Sequence, residues 1–166
     1  MVTHPHPADA AEAQRVAEAT RDAMWGNDRV ARLLGMQMLA ISAGGATMCM
    51  TVREEMLNGH DLCHGGLITT LADSAFAYAC NAYNEVTVAA GFDVNLIHAA
   101  RLGDVLTAQA VEVAKSGRTG VYDIRVTNQH GAAVAAFRGR SYTMKGKPLV
   151  DGLPMGKVAA RPAPKH

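Results

Sequence analysis

The feature that most constrains this chain is one apolar segment, residues 67–82. In it Leu67, Ile68, Leu71, Ala72, Ala75, Phe76 and Ala79 recur at the three-and-four spacing of a helical face. The other side holds small residues such as Ala77 and Cys80 where a surface helix would carry Lys and Glu. Such a helix is read as buried nearly all round, so the rest of the chain has to wrap it. His64-Gly65-Gly66 opens the segment and Asp73 sits in its middle.

The wrapping comes from strands. Apolar runs over 36–42 and 46–53 flank Ala43, Gly44 and Gly45 and read as a hairpin. Further runs over 86–96, 105–114, 120–128 and 132–144 are punctuated by Gly103-Asp104, Ser116-Gly117 and His130-Gly131, so short turns should join them as antiparallel neighbours. The pattern specifies an α+β fold, a curved antiparallel sheet wrapped around a long central helix. Residues 1–8 alternate His and Pro and read as a flexible arm, and 9–34 as N-terminal helices, the second capped by Asn27 or Asp28 and ended by Gly35. The main domain spans 35–144, and 145–166, rich in Gly, Pro and Lys, reads as an extended C-terminal tail. Sheet edges and helix ends left open by this plan predict self-association as a dimer.

Composition narrows the function. A formal charge of +1 over 166 residues offers no basic face for nucleic acid, and no run approaches the ~18 apolar residues of a membrane span. Three cysteines without a regular framework and an N-terminus without a basic-then-apolar leader place the chain in a reducing cytoplasm.

Asp73 needs a reason, because an unpartnered carboxylate in an apolar helix is costly to desolvate. It reads either as a general base or nucleophile in an apolar pocket or as a carboxylate bonded across an interface. The glycines at the helix start let a substrate approach free N–H groups at the positive end of the helix dipole, a plausible oxyanion site. Along a helix rising ~1.5 Å per residue, Gly65 and Asp73 are about 12 Å apart, so one carbonyl meets both only if they come from different protomers. Asn58 reads first as a turn residue. His60, Cys63 and His64 lack a second ligand cluster, which argues against zinc. Cys63 reads as a packed thiol, and Ser74 lacks the strand-to-helix setting of a hydrolase nucleophile. Lys115, Gly117, Arg118 and Thr119 form a basic turn able to meet phosphates or simply to face solvent.

The run Met56-Leu57-Asn58-Gly59-His60, then Cys63-His64-Gly65-Gly66, then Leu71-Ala72-Asp73-Ser74-Ala75-Phe76-Ala77-Tyr78-Ala79-Cys80-Asn81 resembles the hotdog-fold thioesterases of the PaaI type. Gly117, Thr119-Gly120-Val121-Tyr122-Asp123 and Phe137-Arg138-Gly139 extend the resemblance over about 35–144. It implies hydrolysis of acyl-CoA thioesters, phenylacetyl-CoA and its ring-hydroxylated relatives, in phenylacetate catabolism, by dimers commonly paired into tetramers. It also implies Asp73 as catalytic acid, Gly65 as carbonyl-polarising amide, and Asn58 and His64 as polar lining. Gly66, Ser74, Lys115, Gly117, Arg118 and Thr119 would contact substrate. No metal or redox cofactor is implied, CoA arriving as part of the substrate. Asn95-Leu96-Ile97-His98-Ala99 departs from the family's Asp-Phe-Leu-Arg-Pro, which weakens a phosphate contact at His98 and leaves Arg101 as a distant substitute. The alternatives are an acyl-CoA hydratase or dehydratase using Asp61 and His64, and a non-catalytic acyl-CoA sensor.

Overall fold

A computed structural model of the chain describes residues 7–157. Helix α1 (Pro7–Trp25) begins with a proline in the first turn, where its missing N–H is harmless. Residues 1–6 of the expected arm lie outside the described residues. Helix α2 (Arg29–Leu33) is capped by Asp28, whose Oδ1 accepts from the Ala31 N–H at 2.9 Å, so Asp28 and not Asn27 takes the cap.

Strands β1 (Gln37–Ser42) and β2 (Gly45–Thr51) form the expected hairpin, closed by Gly44 at φ +75°. A side chain there would also strike the Tyr83 hydroxyl, 2.6 Å from where a Cβ would stand. A 3-10 turn at Glu54–Met56 leads to helix α3 (Gly65–Asn81). Strands β3 (Thr87–Leu96), β4 (Val105–Ser116), β5 (Thr119–Thr127) and β6 (Ala133–Thr143) complete one antiparallel sheet in the order β1-β2-β4-β5-β6-β3. Helix α3 packs against all six strands. Strands lie ~4.8 Å apart and a helix is only about 10 Å across, so the sheet must curl to make those contacts.

Two expectations are corrected. Strand β3 does not neighbour β4: it crosses to the far edge and pairs with β6, Phe92 opposite Gly139 and Val94 opposite Phe137. Residues 97–104 then return the chain to the middle of the sheet, so Gly103-Asp104 ends a crossover and not a hairpin. A helix held in a curled sheet needs strands on both flanks, and turn residues do not encode which neighbour a strand takes. Nor is α3 buried all round. Ile68, Leu71, Ala72, Ala75, Phe76 and Ala79 are buried, while Gly66, Thr69, Thr70, Asp73 and Ala77 form a partly open stripe.

The core centres on Phe76, whose ring lies 5.4 Å from that of Tyr122 and 6.0 Å from that of Phe137. Residues 145–157, irregular in backbone, are fastened by buried Asn84. Its Oδ1 accepts from the N–H groups of Leu149 (3.0 Å) and Val150 (2.8 Å), and its Nδ2 donates to the carbonyls of Val150 (2.9 Å) and Leu153 (3.2 Å). Lys157 donates to Glu112 at 2.6 Å, joining the Tyr83 and Tyr122 hydroxyls at 2.8 and 3.0 Å on the same carboxylate. Burial works to raise that carboxyl, but the ammonium and the two hydroxyls outweigh it and hold Glu112 below the ordinary carboxylate range.

Candidate active site

The start of α3 is arranged so that one backbone donor stays free. His64 is the N-cap, and its ring Nδ1 accepts from the Gly66 N–H at 3.2 Å. Its carbonyl accepts from Leu67 and Ile68 at 2.9 and 3.4 Å. Of the first-turn donors only the Gly65 N–H has no acceptor among the described residues, and it sits at the positive end of a four-turn helix. A Cβ at Gly65 would collide with the Leu96 Cδ1 methyl, so any side chain there has to push the end of that exposed leucine aside. The two helix-opening glycines thus act differently, one presenting its amide and the other consuming its own on His64.

Asn58 lies beside this amide. It lines a cavity of about 230 Å³ with Gly65, Cys63, Leu96 and His98. Its Oδ1 accepts from the His60 and Leu62 N–H groups at 2.9 and 3.3 Å, the turn role the sequence favours, which leaves the side-chain amide NH₂ as its remaining polar group. His98 N–H bonds to the Val134 carbonyl at 3.2 Å. Burial pushes the Cys63 thiol up, with Asp104 adding to the shift, which suits a packed thiol and not a nucleophile.

Asp73 is half-buried on the open stripe, and no hydrogen-bond donor reaches it among the described residues. Desolvation raises its pKa above the ordinary aspartate range. At roughly 100° per residue, Phe76 lies about 20° and Asp73 about 80° round the helix from Gly65. Gly65 and Phe76 therefore face the β3–β6 side, where Gly65 meets Leu96 and Phe76 meets Gly139, and Asp73 sits on the adjoining open flank. Ser74 is half-buried on the far side of Asp73 and bonds to nothing described.

The basic turn is placed elsewhere. It joins β4 to β5 beside the C-terminal end of α3, where Asn81 bonds the Thr87 carbonyl and N–H at 2.8 and 2.9 Å and Thr87 meets Thr143 at 3.1 Å. Lys115 donates to that same Thr143 hydroxyl at 2.9 Å and lies over the Tyr83 ring, so its ammonium is already engaged. Arg118 donates to the Tyr142 hydroxyl at 3.2 Å, Thr119 to the Ser116 carbonyl at 3.1 Å, and Gly117 turns at φ +58°. Within one chain, then, Asn58, His64, Gly65 and Gly66 come together, Asp73 and Ser74 stand apart along the helix, and Lys115, Gly117, Arg118 and Thr119 lie at its other end. The larger hollows, about 680 Å³ over the outer sheet face and about 530 Å³ by the hairpin, hold neither Gly65 nor Asp73. Their walls carry no matched acid and free amide, so chemistry and not volume marks the site. Sequence reading missed Leu96 as the side chain that crowds Gly65, because that contact depends on where β3 pairs.

The chain matches the thioesterase superfamily over residues 60–135. It is 44% identical over 124 residues to acyl-coenzyme A thioesterase PaaI of Escherichia coli strain K12, covering 75% of this chain and 89% of that one. The structure of the E. coli PaaI protein from the phenylacetic acid degradation operon superposes with a TM-score of 0.80 at 41% identity, covering 81% of this chain and 98% of that chain. The Streptococcus mutans UA159 protein smu.793 bound to acetyl CoA superposes with a TM-score of 0.65 at 25% identity, covering 68% and 90%. With the helix wrapped by its sheet, the free amide at the helix start and the acid along its flank, the chain belongs to the thioesterase superfamily, as a hotdog-fold thioester hydrolase of the PaaI type.

Proposed function

We propose that this protein hydrolyses phenylacetyl-CoA or ring-hydroxylated phenylacetyl-CoA to the free acid and CoA, with each site shared by two protomers. One observation carries the reading: a helix-start amide at Gly65 and a desolvated carboxylate at Asp73, both without a hydrogen-bond partner among the described residues and about 12 Å apart along one helix. No single carbonyl spans that gap. A two-fold axis beside the open stripe of α3 brings the Gly65 of one protomer to the Asp73 of its partner, and the unpaired edge of β3 gives the partner a strand to extend. Antiparallel helices would also carry the partner's basic turn beyond Gly65, where it would meet the CoA phosphates. The similarity to a curated acyl-CoA thioesterase and to a protein bound to acetyl CoA supports CoA as the carrier.

In the reaction the thioester oxygen accepts from the Gly65 N–H, whose alignment with the helix dipole stabilises the developing oxyanion. Ionised Asp73 then either removes a proton from water as the water attacks, or attacks the carbonyl itself to give an anhydride that water opens. In both routes the C–S bond breaks, CoA leaves as a thiolate, and the acyl group leaves as a carboxylate. The Asn58 amide NH₂ is available to orient the water or carbonyl. The hydratase reading is disfavoured because the His64 Nδ1 is committed to the Gly66 amide and Asp61 is exposed at φ +57°, with no bond joining the two. The protein acts in the reading proposed here as a cytoplasmic catabolic enzyme.

Free-thiol release from phenylacetyl-CoA tests the proposal. The wild type should turn over, and Asp73→Ala should lose at least about 100-fold in kcat while remaining folded. Bound but unhydrolysed acyl-CoA with the wild type would overturn it in favour of a sensor.

A further inference from the structure

We infer that Phe92 is the residue that selects an aromatic acyl group; this rests on the hydrolase reading above and deepens it. Of the three phenylalanines, Phe76 and Phe137 are buried at 1% and 3% exposure, while Phe92 is 43% exposed on the edge strand. It is nevertheless not loose. Its ring stacks on that of Phe137 with centroids 4.7 Å apart and planes 25° from parallel, and Phe137 is itself braced against Phe76. One face of an aromatic ring is thereby held in place and the other left uncovered.

The position of that face follows from the register. Alternation along β3 puts Phe92, Val94 and Leu96 on one face of the strand, and Leu96 fixes that face as the one turned to α3. Leu96 marks the level of Gly65, and Phe92, paired with Gly139, marks the level of Phe76, since the Phe76 ring fills the space a Gly139 side chain would occupy. Strand and helix thus run in opposite directions, about 13 Å of one against about 16 Å of the other. Asp73 is one helical turn before Phe76, on the adjoining flank, so Phe92 stands beside the carboxylate and Val94 and Leu96 continue the apolar wall toward the helix start. An acyl chain whose carbonyl lies at Asp73 has Phe92 as the one phenylalanine ring on this wall with an open face, Phe76 and Phe137 being buried. A substrate ring laid on it gains an offset-stacked contact that an alkyl chain cannot make, at little ordering cost because Phe137 already holds the Phe92 ring.

The test compares phenylacetyl-CoA with hexanoyl-CoA by thiol release for the wild type, Phe92→Leu and Phe92→Tyr. It is repeated by equilibrium binding of both thioesters in the non-hydrolysing Asp73→Asn background. Phe92→Leu keeps apolar bulk without the aromatic face, and the ratio of kcat/KM for the aromatic over the straight-chain substrate should fall about two- to tenfold. Phe92→Tyr, which keeps the face, should retain the ratio, and the binding ratio should move in parallel. Equal losses on both substrates, or no change in the ratio, would overturn the assignment. Should the wild type release no thiol, the hydrolase reading fails by itself. The Phe92 assignment then stands or falls on whether Phe92→Leu weakens phenylacetyl-CoA binding more than hexanoyl-CoA binding.

Discussion

Asp73 is held where the folded chain disfavours its charge. Its pKa is raised by burial, so between the ordinary aspartate pKa of about 3.9 and its own higher value the folded state binds more protons than the unfolded one. Stability contributed at this position therefore falls as pH rises through that window and stays low above it. Asp73→Asn removes the charge and keeps the shape. It should raise Tm relative to wild type at pH 7, with the advantage shrinking as pH is lowered toward 4, while thiol release is lost; calorimetry across pH checks this, and a Tm at pH 7 below wild type would contradict it. In the wild type the acid limb of kcat/KM should lie above the ordinary aspartate range, because only the ionised carboxylate can accept a proton or attack. Gly65 is the counterpart at this scale: its neighbour in space, Leu96, crowds the place of a side chain, and its neighbour in sequence, His64, takes the other glycine's amide.

Among the elements, the α3–β3 connection does more than join helix to strand. Asn84 adopts φ +56° there, is fully buried, and spends both ends of its amide on the backbone of residues 149–153. The segment beyond β6 is thus tied to the end of α3, with Lys157 on Glu112 as a second, more exposed fastening. Replacing Asn84 with Ala removes four hydrogen bonds and places an unsuited residue in the left-handed region, a loss of about 2–4 kcal/mol. Asn84→Gly relieves the conformation but not the hydrogen bonds, so chemical denaturation should rank wild type, then glycine, then alanine. Both variants should be cut by trypsin at Lys145, which already faces solvent, faster than wild type. Lys157→Ala should cost less than Asn84→Ala, since more than half of that lysine side chain faces solvent and exposed ion pairs contribute about 0–1 kcal/mol.

For the whole molecule, a site shared as proposed has a signature that no single-chain site can imitate. Asp73→Ala and Gly65→Val should each be inactive, but co-refolded in equal amounts they should recover about a quarter of wild-type activity, since half the dimers are mixed and each mixed dimer has one intact site. Mixing without refolding should recover less, and no recovery after refolding would show that both residues act from one chain. Light scattering should return at least a dimer.

Much of this architecture is legible in the sequence because it is written in local periodicity. The helix over 67–82, the strand segments and the β1–β2 turn all follow from spacing and glycine placement, and the structure shifts their limits by only a few residues. Asp73 was conspicuous for the same reason, a charge in an apolar repeat. What only the tertiary structure decided is long-range: that β3 crosses to β6, that Leu96 closes on Gly65, that Phe92 is braced by Phe137, and that Asn84 holds a segment 65 residues away. The stripe on α3 left open was equally hidden, since Ala77 and Cys80 read alike in the sequence but one is half open and the other buried, its thiol pushed up to about 12 by desolvation. Sequence by itself determined which segments could form and which residue was out of place. Strand pairing decided which side chains share a wall, because that choice is made by covering both flanks of one helix, a condition no local pattern states.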